Sequence, residues 1–160
     1  MNWKQELTHW FTKYHKISIL GVGSVLCGDD AAGMLLIDAL IEKKLPENRI
    51  QLLAGSTAPE NFSGVIKAFS PDLLLIVDAV FCHKPIGEIH IIDQQAIGGA
   101  DFSTHMLPLP ILMQYLQQET GAETKILGVQ PGQTEFATEP CQTIRQAVEE
   151  LANHIATLVH

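Results

Sequence analysis

The chain has 160 residues, of which 46% are hydrophobic and only 18% charged. That is enough apolar material for one sizeable core and too few charges for a disordered chain. Its 10 Lys+Arg against 18 Asp+Glu give a formal net charge of -8; an acidic surface repels phosphate backbones and anionic lipid, so no nucleic-acid or membrane partner is expected.

Three cysteines, Cys27, Cys82 and Cys141, stand far apart with no CxxC pair. Neither a disulfide framework nor a zinc knuckle is indicated, and a reducing, cytoplasmic setting is expected. The first residues carry charges and lack a long apolar run, unlike a signal peptide. No stretch reaches the roughly 18–20 apolar residues that span a bilayer.

Residues 3–14 place Trp3, Leu7, Trp10 and Tyr14 on one side of an amphipathic helix. Ile17 to Val22 reads as a strand running into Gly21-Val22-Gly23. A helix is expected over Asp30 to Lys43, and a second strand over Arg49 to Leu53, closed by Gly55-Ser56. Pro59 opens a helix that runs to Phe69, since proline suits the first helical position. Leu73 to Val77 is unbroken and apolar, the pattern of a strand covered on both faces. Glu88 to Ile92 and Lys125 to Val129 are further strands. Between them a helix spans Pro110 to Glu119 and stops before Gly121. A last helix, Thr143 to Leu158, carries Ile144, Val148, Leu151, Ile155 and Leu158 on one stripe.

This alternation predicts an α/β fold, a three-layer α/β/α sandwich on a five-stranded, mostly parallel sheet. The connection from Val77 to Glu88 is about ten residues long, shows no helical pattern and contains Pro85 and Gly87. A parallel crossover takes roughly a dozen residues or more, so strand 88–92 is expected to be the one antiparallel strand.

Sites in open α/β sheets form beyond the carboxyl ends of the strands. The polar groups there are Asp29 and Asp30 after the first strand and Asp78 at the end of the third. His105 precedes the helix at 110, and Gln130 follows the fifth strand. Asp29 is placed to cap the helix that follows, with Asp30 at its first position. A carboxylate at Asp78 is costly to desolvate without a partner, although it too suits a turn cap. His105 reads equally as a hydrogen-bonded loop histidine. Jointly Asp30, Asp78 and His105 form an O/O/N set that suits a first-row divalent metal with open positions, or two acids that share acid–base work. Gly21-Val22-Gly23 is not a dinucleotide fingerprint, because Leu26 stands where the third glycine belongs and the second strand is not followed by an acid. His9, His15, His83, His90, His154 and His160 make no HExxH or HxH spacing and read as surface or structural. No GxSxG elbow is present.

At these residues the chain resembles the [NiFe]-hydrogenase maturation endopeptidases, most closely the type that serves hydrogenase 3 of formate hydrogenlyase. The shared stretches are Gly21-Val22-Gly23-Ser24 with Gly28-Asp29-Asp30-Ala31-Ala32-Gly33, then Gly55-Ser56-Thr57-Ala58-Pro59-Glu60-Asn61 and Leu74-Leu75-Ile76-Val77-Asp78-Ala79. They continue with Gly87-Glu88-Ile89-His90-Ile91-Ile92-Asp93, Thr104-His105-Met106-Leu107-Pro108-Leu109 and Leu127-Gly128-Val129-Gln130-Pro131. They keep that family's order and span about residues 17–150. The resemblance implies one endopeptidase domain over 1–160, with 1–15 an extension, on a phosphorylase/hydrolase-like sandwich.

It further implies an enzyme that removes the C-terminal peptide from the nickel-loaded precursor of a hydrogenase large subunit. The substrate's own nickel is the recognition signal, and no organic cofactor takes part. The family's metal-contacting positions map onto Asp30, Asp78 and His105, which are then the catalytic and metal-contacting residues of an aspartic-class, metal-assisted protease. Many members carry an Asp before the Gly-Ser turn after the second strand; Ala54 stands there, so no role of that carboxylate transfers to this chain. The competing class is a nickel-sensing chaperone that binds the precursor without cutting it.

Overall fold

The structure, a computed structural model, describes residues 1–93 and 108–159. Helix α1 (Trp3–Lys13) is followed by β1 (Ile17–Val22), a 3-10 turn (Gly28–Ala31) and α2 (Ala32–Glu42). Next come β2 (Ile50–Ser56), a second 3-10 turn (Pro59–Phe62), α3 (Ser63–Phe69) and β3 (Leu73–Ala79). The remaining elements are β4 (Ile89–Ile92), α4 (Leu109–Thr120), β5 (Glu123–Val129) and α5 (Gln142–Val159).

One five-stranded sheet has the order β2-β1-β3-β5-β4. The first four of these strands pair in parallel and β4 runs antiparallel to β5. The antiparallel strand is the one expected from the short connection ahead of it. Strand β1 lies between β2 and β3, so the connections leaving β1 and β3 diverge at that point. Such a switch point leaves a crevice beyond the strand ends.

Alternation along each strand divides the core in two. Ile17, Ile19, Leu73, Leu75 and Val77 pack with Leu36, Leu40, Leu151 and Ile155 under α2 and α5. Leu20, Val22, Leu74 and Ile76 pack with Ile66, Leu112 and Leu116 under α3 and α4. All seven residues of β3 are buried, as a strand covered on both faces requires. Helix α1 joins the first cluster through Leu7, Trp10 and Phe11. Its start is fixed by a capping box, with Gln5 N–H donating to Asn2 Oδ1 at 2.9 Å and Asn2 N–H to Gln5 Oε1 at 3.0 Å. Among the described residues no helix is long and apolar enough to cross a membrane.

Two expected helices begin differently. The helix expected from Asp30 opens as the 3-10 turn, and α2 starts only at Ala32. The segment expected as a helix from Pro59 also opens as a 3-10 turn, with α3 starting at Ser63. Gly121 ends α4 in the left-handed region, at φ 73°, as its position after the apolar stripe predicted.

Glycine sets the approach of α2 to the sheet. A Cβ on Gly33 would lie 2.4 Å from Val77 O and 2.5 Å from Val22 O. The first turn of α2 therefore rests directly on the backbones of β1 and β3, at their carboxyl ends. Gly128 on β5 is also crowded, but by side chains: a Cβ there would lie 2.9 Å from Ile92 Cδ1.

Candidate active site

Strand β1 delivers the chain into a loop that folds back on itself. Gly23, at φ 138°, donates its N–H to Ser56 O at 2.9 Å, and a Cβ on it would collide with Asp30 O. The loop then closes on the side chain of Asp30, whose Oδ2 accepts from Ser24 N–H at 2.9 Å. Asp30 is 3% exposed. The 3-10 turn that carries it packs on β3.

Asp78 stands inside the last turn of pleat of β3, in register with Gly128, and is fully buried. Strand alternation puts it on the face covered by α3 and α4, with Leu74 and Ile76. Asp30 and Asp78 thus belong to the adjacent strand ends at the switch point, one following β1 and one ending β3.

His105 lies outside the described residues. Helix α4 ends at Thr120, and β5 begins at Glu123, the residue in register with the start of β3. The helix packs on the same face as Asp78, so its first turn, at Leu109, is directed toward the carboxyl ends of the strands. Among the described residues alone, no three His, Cys, Asp or Glu side chains form a metal-holding group.

Asp29 does not cap α2. Its side chain crosses to the segment after β5 and is fully buried there. Oδ2 accepts from Gly132 N–H at 2.8 Å and Gln133 N–H at 3.0 Å. Cys141 N–H donates to Oδ1 at 2.8 Å, and its thiol donates to Oδ2 at 3.4 Å. A carboxylate with several N–H donors is well satisfied away from water. Local reading missed this because the partners are more than a hundred residues away; an acid before an apolar helix looks like a cap from either cause.

Gln130 performs the matching task on the other side. Its Oε1 accepts from Cys82 N–H at 2.7 Å and Lys84 N–H at 3.2 Å, and its Nε2 donates to Pro131 O at 3.0 Å. This side chain ties the loop that leaves Asp78 to the end of β5. The stretch Leu127-Gly128-Val129-Gln130-Pro131 marked the position but not the role. Burial pushes the Cys82 thiol pKa up against the pull of Lys84, which keeps it a thiol rather than a thiolate nucleophile. Ala54 pairs with Gly21 at the end of β2 and is exposed, so this strand end presents a methyl group and no carboxylate at that position. A cavity of about 730 Å³, lined by Ile41, Leu45, Ile50 and Phe69 among others, lies by the amino end of β2 and takes no part in this rim.

The fold defines a class, α/β/α sandwiches with a switch point in a mostly parallel sheet, here with two buried carboxylates at its carboxyl edge. Comparison with known proteins narrows it. A family model for HycI, hydrogenase maturation protease, matches residues 34–158. The hydrogenase 3 maturation protease of Escherichia coli strain K12 is 37% identical over 132 residues, 82% of this chain and 83% of that protein. The crystal structure of the [NiFe] hydrogenase maturation protease HycI from Thermococcus kodakarensis KOD1 superposes with a TM-score of 0.87 at 36% identity, covering 96% of this chain and 98% of that one. The hydrogenase maturating endopeptidase HybD of E. coli gives a TM-score of 0.71 at 26% identity, over 88% of this chain and 89% of that one. The chain belongs to the hydrogenase maturation protease family.

Proposed function

We propose that this protease removes the C-terminal peptide from the nickel-loaded precursor of a [NiFe]-hydrogenase large subunit, with the substrate's nickel as the recognition signal. The observation that carries the reading is the placement of two buried carboxylates, Asp30 and Asp78, at adjacent strand ends of the switch point. The relatives named for hydrogenase maturation supply the substrate class. His105 completes an O/O/N set: it stands four residues before Leu109, a length of chain that reaches at most roughly 14 Å from the first turn of α4.

Peptide hydrolysis needs a polarised carbonyl, an activated water and a protonated leaving amine. Asp30, Asp78 and His105 grip the nickel that arrives with the precursor, and this grip sets the scissile bond in place. Either the substrate metal or one of the carboxylates then activates water. An imidazole beside two carboxylates suits a metal better than a proton shared between two acids. Only loaded precursor docks in register, so maturation is gated by metal insertion.

The test is a mobility assay on precursor prepared with and without nickel. Loaded precursor is expected to lose its C-terminal peptide while nickel-free precursor stays intact. Equal cleavage of both would remove the gating role. Binding of loaded precursor without any cleavage would make the protein a nickel-sensing chaperone instead.

A further inference from the structure

The three loops that leave β1, β3 and β5 at the candidate site expose large apolar side chains. Val25 and Leu26 follow β1 and are 58% and 59% exposed; Ile86 follows β3 at 48%; Phe136 follows β5 at 74%. Other exposed apolar residues, such as Ile41, Val65 and Ile111, are carried on α2, α3 and α4 instead.

These loops are bound to one another. Ala137 N–H donates to Leu26 O at 2.8 Å, Gly28 N–H to Thr138 O at 3.0 Å and Asp29 N–H to Gln133 O at 2.7 Å. Ile86 packs on Gly132, where an added Cβ would lie 2.6 Å from its Cδ1, and Gly87 N–H donates to Gln130 O at 2.8 Å. The Asp29 carboxylate anchors the same segment from below. The apolar side chains are therefore held outward by a cross-linked backbone. Scattered exposed hydrophobics are ordinary, but a rim of them beside a site marks a contact surface.

We infer that Val25, Leu26, Ile86 and Phe136 form the ledge on which an apolar segment of the precursor polypeptide, next to its scissile bond, docks. The inference rests on the proposed function and adds where the polypeptide is held. Continuity identifies the occupant: Ser24 binds the Asp30 carboxylate, the next two residues are Val25 and Leu26, and Leu26 is bonded to Ala137 beside Phe136, so a chain that reaches Asp30 runs past these loops. Both carboxylates are buried, so a peptide bond reaches them only after its flanks have settled on the surrounding loops. Four side chains fall well short of the roughly 800 Å² per partner of a standard stable interface, which argues against a second copy of this chain as occupant.

The experiment measures binding of nickel-loaded precursor to the immobilised full chain, scored separately from cleavage. The double variant Leu26→Ser with Phe136→Ser is expected to raise Kd about tenfold or more, as loss of interface anchors does. A control pair of exposed apolar residues away from the rim, Ile41→Ser with Val65→Ser, is expected to leave Kd as in wild type. Where the double variant fails to fold, Phe136→Asp alone replaces it, since that side chain makes little contact with the body. Unaltered Kd in a folded ledge variant, or an equal rise in the control pair, would overturn the ledge. Tight binding by wild type without cleavage removes the protease reading and leaves the ledge to be judged by the same Kd comparison. No binding by wild type removes both. Wild-type dimers that the ledge variants convert to monomers, with Kd for precursor unaltered, would reassign the surface to self-association.

Discussion

The carboxylate of Asp29 holds Cys141 through both its amide and its thiol, at 2.8 and 3.4 Å. It thereby fixes where α5 begins relative to the turn that carries Asp30. Replacing Asp29 with Asn substitutes a donor for one acceptor oxygen among inward-pointing N–H groups. The expected loss is about 2–4 kcal/mol of stability, from strong acceptors removed at a buried site. Urea denaturation checks the magnitude, and limited proteolysis is expected to cut the variant within 132–141. A change below about 0.5 kcal/mol would mean the segment holds its place without this carboxylate.

The two acids of the doublet separate in their effects. Asp30→Asn retains an oxygen for the Ser24 N–H and is expected to leave the melting temperature near wild type. Its cleavage rate is expected to drop by about 10²–10⁴-fold, the range of a lost acid–base or metal-gripping group. Asp78→Asn and His105→Gln are expected to behave alike. Retained cleavage in all three variants would remove the site assignment.

His90 makes stability depend on pH. Burial lowers its pKa below the ordinary value of 6.5; Glu88, 3.9 Å away, opposes this and Lys84 adds to it. The folded form binds a proton less readily than the unfolded chain. The contribution of His90 is therefore complete above about pH 6.5 and declines as pH falls through that value toward the folded pKa. Urea midpoints at about pH 7.5 and about pH 5.5 are expected to differ more in wild type than in His90→Asn. Equal differences would show that other groups carry the acid sensitivity.

Gly33→Ala tests the seat of α2. Its methyl would meet the carbonyls of Val77 and Val22 well inside contact distance. Overpacking of this kind costs about 1–3 kcal/mol or more, despite the better helix propensity of alanine. A lowered melting temperature is expected, together with loss of cleavage, because the displaced elements carry Asp30 and Asp78. A variant as stable as wild type would show that the helix can lift without cost.

Much of the architecture could be read along the chain because burial leaves a pattern. Leu73 to Val77 has no polar interruption, and it became the strand buried on both faces. The short link from β3 to β4 has no room for a crossover helix, and β4 runs antiparallel. The expected positions of Asp30 after β1 and Asp78 at the end of β3 followed from the same strand assignments. Asp29 shows where such reading stops: its bonds depend on how β5 and α5 fold back, and no local spacing encodes that. The 3-10 openings at Gly28 and Pro59 were missed for a related reason. A tighter first turn differs from an α-helix by one residue of hydrogen-bond spacing, too little to change the apolar pattern.

The seat of α2 also decides which sequence changes can be forgiven. At Gly128 the crowding atoms belong to the side chains of Ile92 and Val80, so an added methyl there can be relieved by smaller side chains at these two positions. At Gly33 they are backbone atoms of Val77 and Val22, which no change of side chain removes. Selection for suppressors should therefore recover second-site rescue of Gly128→Ala and only true reversion of Gly33→Ala.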